Sequence, residues 1–430
     1  FYFFSKRFIQ NRNKAIIATV ILAMVPCYLS HFIWAHSLVI TLFLVSLYCL
    51  VKINDDKKWI YPLIFVISGI TLTQPSQPIK YLIMFMIYIL IKSLYDGKFK
   101  IKEFIAIIAG YMLSLFWWAA NFKGQIMTKS VAAASKEEIL GGPLIKFWHI
   151  VQTRFSPTSG SATRAYTFND FFVAKSQNMI NNPIGIGIII SLLAILTIFL
   201  IIFTYKSMKK EKKSWIIITA LWLVFTFLGV NSMTFNLPVG LFAFRFWMLF
   251  AIPLSIIAAE GFWFLTKLFK EIKMPRVITI SLLILLIFLT SGQQKYTVNT
   301  ANWGPGQMWT SMEEIQGYTW LKTLPVDTKV FAYSSDEQVI GYDKLSCKWC
   351  DEVIEFRKGL LYRNESEVYT WLKKQRYEYL IMDGMAYKSH QEEYGNETKP
   401  LIDQRLAEIS SSSKFQVVHQ TQGVIIFKII

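Results

Sequence analysis

Four hundred and thirty residues that are 53% hydrophobic, 16% aromatic and only 17% charged, with mean hydropathy +0.38, fall well below the about 25% charged residues of a soluble globular chain and exclude an ordinary cytosolic enzyme. The formal charge of +17 is unevenly spread: residues 1 to 291 carry 29 Lys+Arg and 10 Asp+Glu, whereas 292 to 430 carry 16 and 18. The basic excess belongs to the apolar part, so nucleic acid loses its main support as a partner, and four cysteines are too few for a disulfide scaffold.

The chain opens at Phe1, without a Met, on an aromatic and basic stretch that reads as the end of a helix and not as a signal peptide, so we expect a fragment lacking its N-terminus. A spanning helix needs about 20 mostly apolar residues, and about nine runs qualify: 15–35, 36–53, 58–74, 78–95, 103–121, 183–205, 214–231, 241–266 and 276–292. Pro62, Pro75 and Pro78 interrupt or bound the third and fourth, and Lys80 has to snorkel. Connections rich in Lys and Arg mark the cytoplasmic side. They alternate with connections around His36, Gln74 to Gln77 and Asn231 to Pro238 that carry almost none. This predicts a multi-pass protein of the cell membrane with its N-terminus in the cytoplasm. The fold class is a polytopic α-helical membrane protein, residues 1–292, with a long external loop at 122–182 and an external soluble α/β domain at 293–430.

Within that tail, Ser311-Met-Glu-Glu314 is a capping box that opens a helix through Trp320 and Leu321. Lys329 to Tyr333 alternates like a strand. Helical stretches near 351–362 and from Glu365 to Gln375 follow, then a strand at Tyr379 to Met382 and a helix from Pro400 to Ile409. Phe415 to His419 and Val424 to Ile429 close the chain as a hairpin about Gln422-Gly423. The sequons at Asn364 and Asn396 fall in this external part, and the tail holds no nucleophile triad.

Several polar residues bear on chemistry. Cys347-Lys-Trp-Cys350 lacks two further ligands at zinc spacing, so a local disulfide is the expected state outside the cell. His31 and His36 sit five apart at the external end of the first helix pair, where a metal or phosphate contact competes with interfacial capping. Glu260 lies in the eighth span, two turns from Lys267, where a structural pair or snorkelling competes with a function. The run from Lys209 to Lys213 reads as a topology signal, with attraction to anionic lipid as a by-product. Arg245 differs, because it lies near the external end of its span with no acid near it in sequence. A guanidinium at that depth suits bidentate capture of a lipid-linked phosphate; the competing reading is snorkelling.

Nine spans with a long external loop after the fifth and an external α/β tail resemble the catalytic subunit of (archaeal-type) oligosaccharyltransferase, a member of the GT-C superfamily of membrane glycosyltransferases, with its first four helices missing. Pro26-Cys-Tyr-Leu-Ser30 resembles the family's Pro-Gly-Tyr/His-x-Ser entry to its second external loop. Arg245, with Leu249, Pro253 and Leu254, resembles the helix whose Arg contacts the donor diphosphate. Glu314 to Ala332 resembles the stretch that leads into the family's Trp-Trp-Asp-Tyr-Gly motif. The catalytic motifs themselves depart from the family. Trp34-Ala-His36-Ser37 stands where an acidic metal-binding motif is expected, which leaves His36 as the remaining metal candidate. Lys175 stands where the external loop has a Glu. Tyr333, Asp336 and Glu337 stand in place of the sequon-reading motif as candidate acceptor contacts. Carboxylates for a divalent metal such as Mg or Mn are therefore missing, and no cofactor is assigned.

The resemblance implies transfer of sugar from a polyprenyl (dolichyl) phosphate or diphosphate donor to an acceptor protein or glycan on the external face, without a metal. Arg245 and Lys175 would hold the phosphate with Arg154 or Arg164 assisting, and the general base would lie in the missing segment or be Asp170. Membrane lipids are the remaining partners. The alternative is a catalytically silent paralogue that binds an acceptor or partner through its external domain. A transporter ranks last, since the spans show no internal repeat.

Overall fold

Because the expected apolar runs differ in how proline and glycine punctuate them, they fold into helices of unequal length. A computed structural model describes residues 1–30, 35–74, 78–121, 165–173, 175–177, 179–237, 243–301, 304–306 and 310–430. The expected calls at Arg154, Arg164 and His31 lie outside these residues. The chain divides into two compact units, Phe1–Thr300 and Ala301–Ile430.

The first unit is a helical bundle. Its helices are α1 (Tyr2–Ile9), α2 (Arg12–Met24), α3 (Ala35–Lys52), α4 (Ile60–Thr73), α5 (Pro78–Asp96) and α6 (Ile101–Asn121). A short helix α7 (Phe168–Phe172) and a two-stranded hairpin of β1 (Lys175–Gln177) and β2 (Met179–Ile184) follow. The bundle is completed by α8 (Ile188–Thr204), α9 (Lys210–Val230), α10 (Phe246–Glu271), α11 (Arg276–Ile287) and α12 (Gln293–Thr300). Among the described residues, seven helical segments are long and apolar enough to cross a membrane, not nine. The expected span 15–35 is helical only to Met24, because Val25 precedes Pro26 and takes an extended conformation at ψ 122°, as a residue before proline does. The expected span 58–74 becomes the 14-residue α4. The sixth starts at Ile188 instead of 183, after Gly185 and Gly187 adopt φ of 96° and 90°. The ninth runs on through a π-turn to Thr300, which carries the unit boundary beyond 292.

The apolar surface shows which helices face outward. α10 is apolar on every side and lies at the centre, packed against α2, α8 and α9, as an all-round hydrophobic helix must. On α8 and α11 the outward faces carry Phe199, Ile202, Phe203 and Val277, with Phe203 81% and Val277 75% exposed. Contiguous apolar faces of this kind suit hydrocarbon and not water. Buried hydroxyls in the bundle turn back on their own helices. Thr219 donates to the carbonyl of Trp215 at 2.7 Å, and Thr197 to Leu193 at 2.8 Å and across to Ile257 at 2.9 Å. Gly261 makes that crossing possible, since a Cβ there would meet the Leu193 carbonyl at 2.5 Å.

The second unit is a sheet covered on both faces. Its strands β3 (Val330–Ala332), β4 (Tyr379–Asp383), β5 (Phe415–Gln420) and β6 (Val424–Ile429) lie in the order β3-β4-β6-β5, with β3 and β4 parallel and the rest antiparallel. The period of two decides the layers. Val330, Ala332, Ile381, Val424 and Ile426 pack with Tyr318 and Leu321 from α13 (Met312–Thr319) and the turn after it. Phe331, Leu380, Met382 and Phe427 pack against α15 (Asp351–Arg357), α16 (Glu365–Lys374), α17 (Met385–Tyr394) and α18 (Thr398–Ser411). α14 (Glu337–Gly341) follows β3. The predicted capping box forms at Ser311 and Glu314, the predicted hairpin forms, and Cys347 and Cys350 are joined in a disulfide. α14 and α17 are the helices that periodicity did not reveal.

Candidate functional site

The bundle sorts its polar side chains to its two ends. At one end the cationic connections meet across helices. Glu260 of α10 holds both Lys14 of α2 and Lys212 of α9, Arg7 binds Asp55, and Lys100 reaches Asn54 at 3.0 Å. Glu260 is thus a structural pair.

The opposite end holds Arg245, one of the residues expected to bind phosphate, together with His36 and Lys80. Arg245 closes a 3-10 turn at the mouth of the 26-residue α10, where the positive end of the helix dipole lies. His36, at the start of α3 and 2% exposed, places Nε2 3.2 Å from the Arg245 carbonyl oxygen. Lys80 does not snorkel. It is fully buried at the start of α5, with Nζ 4.3 Å from the centre of the Phe246 ring, a cation–π contact. Lys80, Arg245 and His36 are neighbours. Beside them, Lys295 of α12 donates to the Tyr28 carbonyl, and the Cys27 thiol meets the Trp247 carbonyl at 3.5 Å. Basic side chains brought to a helix N-terminus on apolar surroundings suit an anion.

Aromatic packing anchors the segment before β1 to this end. Tyr166 and Phe171 lie 5.3 and 4.8 Å from the Trp247 ring, and the Tyr166 amide donates to Thr234 at 3.0 Å. The same segment carries Asp170, which is 2% exposed and directs one carboxylate oxygen to the Thr167 amide at 2.7 Å and to its hydroxyl at 2.9 Å. That is a capping box, a local structural role. Lys175 takes its place in β1 opposite Ile184.

The three acceptor candidates are not brought together on a surface. Tyr333 and Asp336 are fully buried, with Asp336 bound to Arg357 at 3.0 Å and the Tyr333 carbonyl accepting from Arg357 and His390. Only Glu337 reaches solvent, paired with Lys348, which holds its carboxyl down at about 2. Sequence reasoning missed a different cluster one strand away. Asp383, at the end of β4, accepts from the hydroxyls of Tyr318 and Ser334 and from the Ala386 amide at 2.9 Å. Burial pushes its carboxyl up to about 6 against those bonds, with Glu314 adding to the rise.

Sequence sees Lys80 only as an interruption of an apolar run, although a lysine two residues after a helix-opening proline, with no acid nearby, is the signal that would have singled it out. Among the described residues no three His, Cys, Asp or Glu side chains are grouped to hold a metal. Comparison with protein-family models and with curated proteins gives no match.

Proposed function

We propose that the chain is a membrane-embedded GT-C-type glycosyltransferase that uses a polyprenyl phosphate or diphosphate sugar donor, with an acceptor protein or glycan on the side opposite the cation-rich connections. The observation that carries this reading is the convergence of Arg245, Lys80 and His36 at the start of α10. In transfer, the bond from the sugar's anomeric carbon to phosphate oxygen breaks, and the phosphate leaves with the electron pair. The acceptor oxygen bonds to the same carbon and gives its proton to a base. Fixed cations at the leaving phosphate lower the barrier where charge develops. Arg245 is assigned that role, with Lys80 buried beside it against Phe246. Lys175, Arg154 and Arg164 are assigned to it by resemblance alone.

Asp170 is not assigned as the base, since its carboxylate caps α7. The second reading is a catalytically silent paralogue that binds an acceptor or partner through its external domain. Binding of polyprenyl phosphate to the full chain in detergent should weaken about tenfold or more in Arg245→Ala, the loss of one charge-assisted contact, while thermal stability is kept. Unchanged binding removes the site. Transfer of labelled sugar from a polyprenyl donor, assayed with and without a metal chelator, separates the readings: transfer that survives the chelator supports the enzyme, and binding without transfer supports the paralogue. The orientation is tested in the same membranes, where a cysteine placed near residue 235 should react with an impermeant thiol reagent and one near 210 should not.

A further inference from the structure

A cavity of about 720 Å³ opens at the cation-rich end of the bundle, between α1, α2, the end of α3, α5 and the start of α9. Its apolar lining comes from Phe8, Tyr88 and Trp215, with Phe8 and Trp215 edge to face at 6.5 Å. Its polar lining is dominated by Arg7, Lys14, Lys92, Lys209 and Lys212, against Asp96 and Glu211. Ion pairs do not cancel that excess. Arg7 shares Asp55 with Lys52, Lys92 shares Asp96 with Lys100, and Lys14 shares Glu260 with Lys212, so seven cations face four acids once every partner is counted. Each of the three paired acids is bridged by two cations.

The shape adds to the charge. α1 is set at an angle to α2 by Gln10, which takes the left-handed conformation at φ 58°. It buries Phe4 and Phe8 on the bundle while Phe3, 67% exposed, Lys6 and Arg7 face outward, the pattern of a helix lying in a membrane interface. A cavity with cations at its rim, Tyr and Trp in its wall and an apolar face beside it matches an amphiphile with an anionic head. At about 720 Å³ it exceeds a single inorganic phosphate and lies in the range of organic ligand sites.

We propose that this cavity binds the phosphate-bearing headgroup of an anionic membrane phospholipid, independently of the Arg245 site at the other end of the bundle. The test uses the full chain in neutral detergent and measures its affinity for short-chain phosphatidylglycerol, short-chain phosphatidylcholine and glycerol 3-phosphate. Phosphatidylglycerol should bind, phosphatidylcholine should bind far more weakly, and the double variant Lys92→Gln/Lys209→Gln should lose about thirtyfold, from about 1 kcal/mol per cation. Lys57→Glu, at the same end but outside the cavity lining, should leave the affinity unchanged. Equal affinity for the two lipids overturns the proposal, as does a double variant that is folded and binds normally, or an equal loss in Lys57→Glu, which would mean diffuse surface attraction. Binding of glycerol 3-phosphate as tight as that of the lipid overturns the lipid assignment in favour of a soluble phosphate ester.

Discussion

Two carboxylates held away from water, Glu260 partly buried in the bundle and Asp383 buried in the sheet unit, are handled in opposite ways. Glu260, in the bundle, is clasped by two lysines from two other helices, so its charge is matched where it stands. Asp383, at the end of a strand in the sheet unit, is met by two hydroxyls and one amide, and burial wins over those hydrogen bonds. The difference lies in the partner as well as in the depth: a cation fixes an acid as a charge, whereas neutral donors leave a buried one able to take a proton near neutral pH. A bundle whose ends are full of lysine has cations to offer an acid, and the inner end of a strand does not.

That contrast can be broken, the largest effect first. Replacing Glu260 by Ala leaves Lys14 and Lys212 facing one another in a partly buried site and should cost about 3 kcal/mol of stability, read as a lower melting temperature of the full chain in detergent. If the variant melted with the parent, the lysines would be finding water instead, and the pairing would carry no stability. For Asp383 the sign is the reverse of the usual salt-bridged acid. Its folded pKa of about 6 lies above the ordinary value of 3.8, so its contribution is fully present below about pH 4 and is lost as pH rises through 6. This amounts to about 2 to 3 kcal/mol. Asp383→Asn should flatten that part of the stability profile, and a variant as pH-sensitive as the parent between about pH 4 and pH 7 would locate the effect elsewhere. The smallest effect belongs to Glu337, whose pair with Lys348 is exposed. Glu337→Gln should shift stability by no more than about 0.5 kcal/mol, and a larger loss would reveal a role beyond that contact.

How much of this was legible follows from the range of each signal. Apolar length predicted α3, α5, α6 and α9 to within a few residues, because hydrocarbon selects on composition over a single turn-by-turn window. The capping box at Ser311 and Glu314, the hairpin about Gln422-Gly423 and the Cys347–Cys350 disulfide are local as well, complete within a few residues of chain. The errors also have local causes. Pro26 ends α2 early, and the left-handed glycines before α8 turn the start of a span into a hairpin. What stayed hidden needed distant partners. Nothing near Lys80 in sequence announces Phe246, nothing near Asp383 announces Tyr318, and nothing near Asp336 announces Arg357. The Arg245 neighbourhood was half legible: the guanidinium and His36 stood out, but Lys80 on α5 did not, and nothing in sequence joined the three.

The close crossing of α8 and α10 has a further consequence. A hydrogen atom at position 261 sets the distance between two helix axes, and the hydroxyl of Thr197 bridges the gap that the hydrogen leaves. Neither residue can drift alone: a methyl at 261 would strike the Leu193 carbonyl and force the axes apart, and a wider gap would leave the hydroxyl short of Ile257. Change at these two positions is therefore tied together. Glu260, just before Gly261 on α10, keeps its own partners on α2 and α9. Mutational scanning of the bundle should find substitutions at 197 and 261 non-additive.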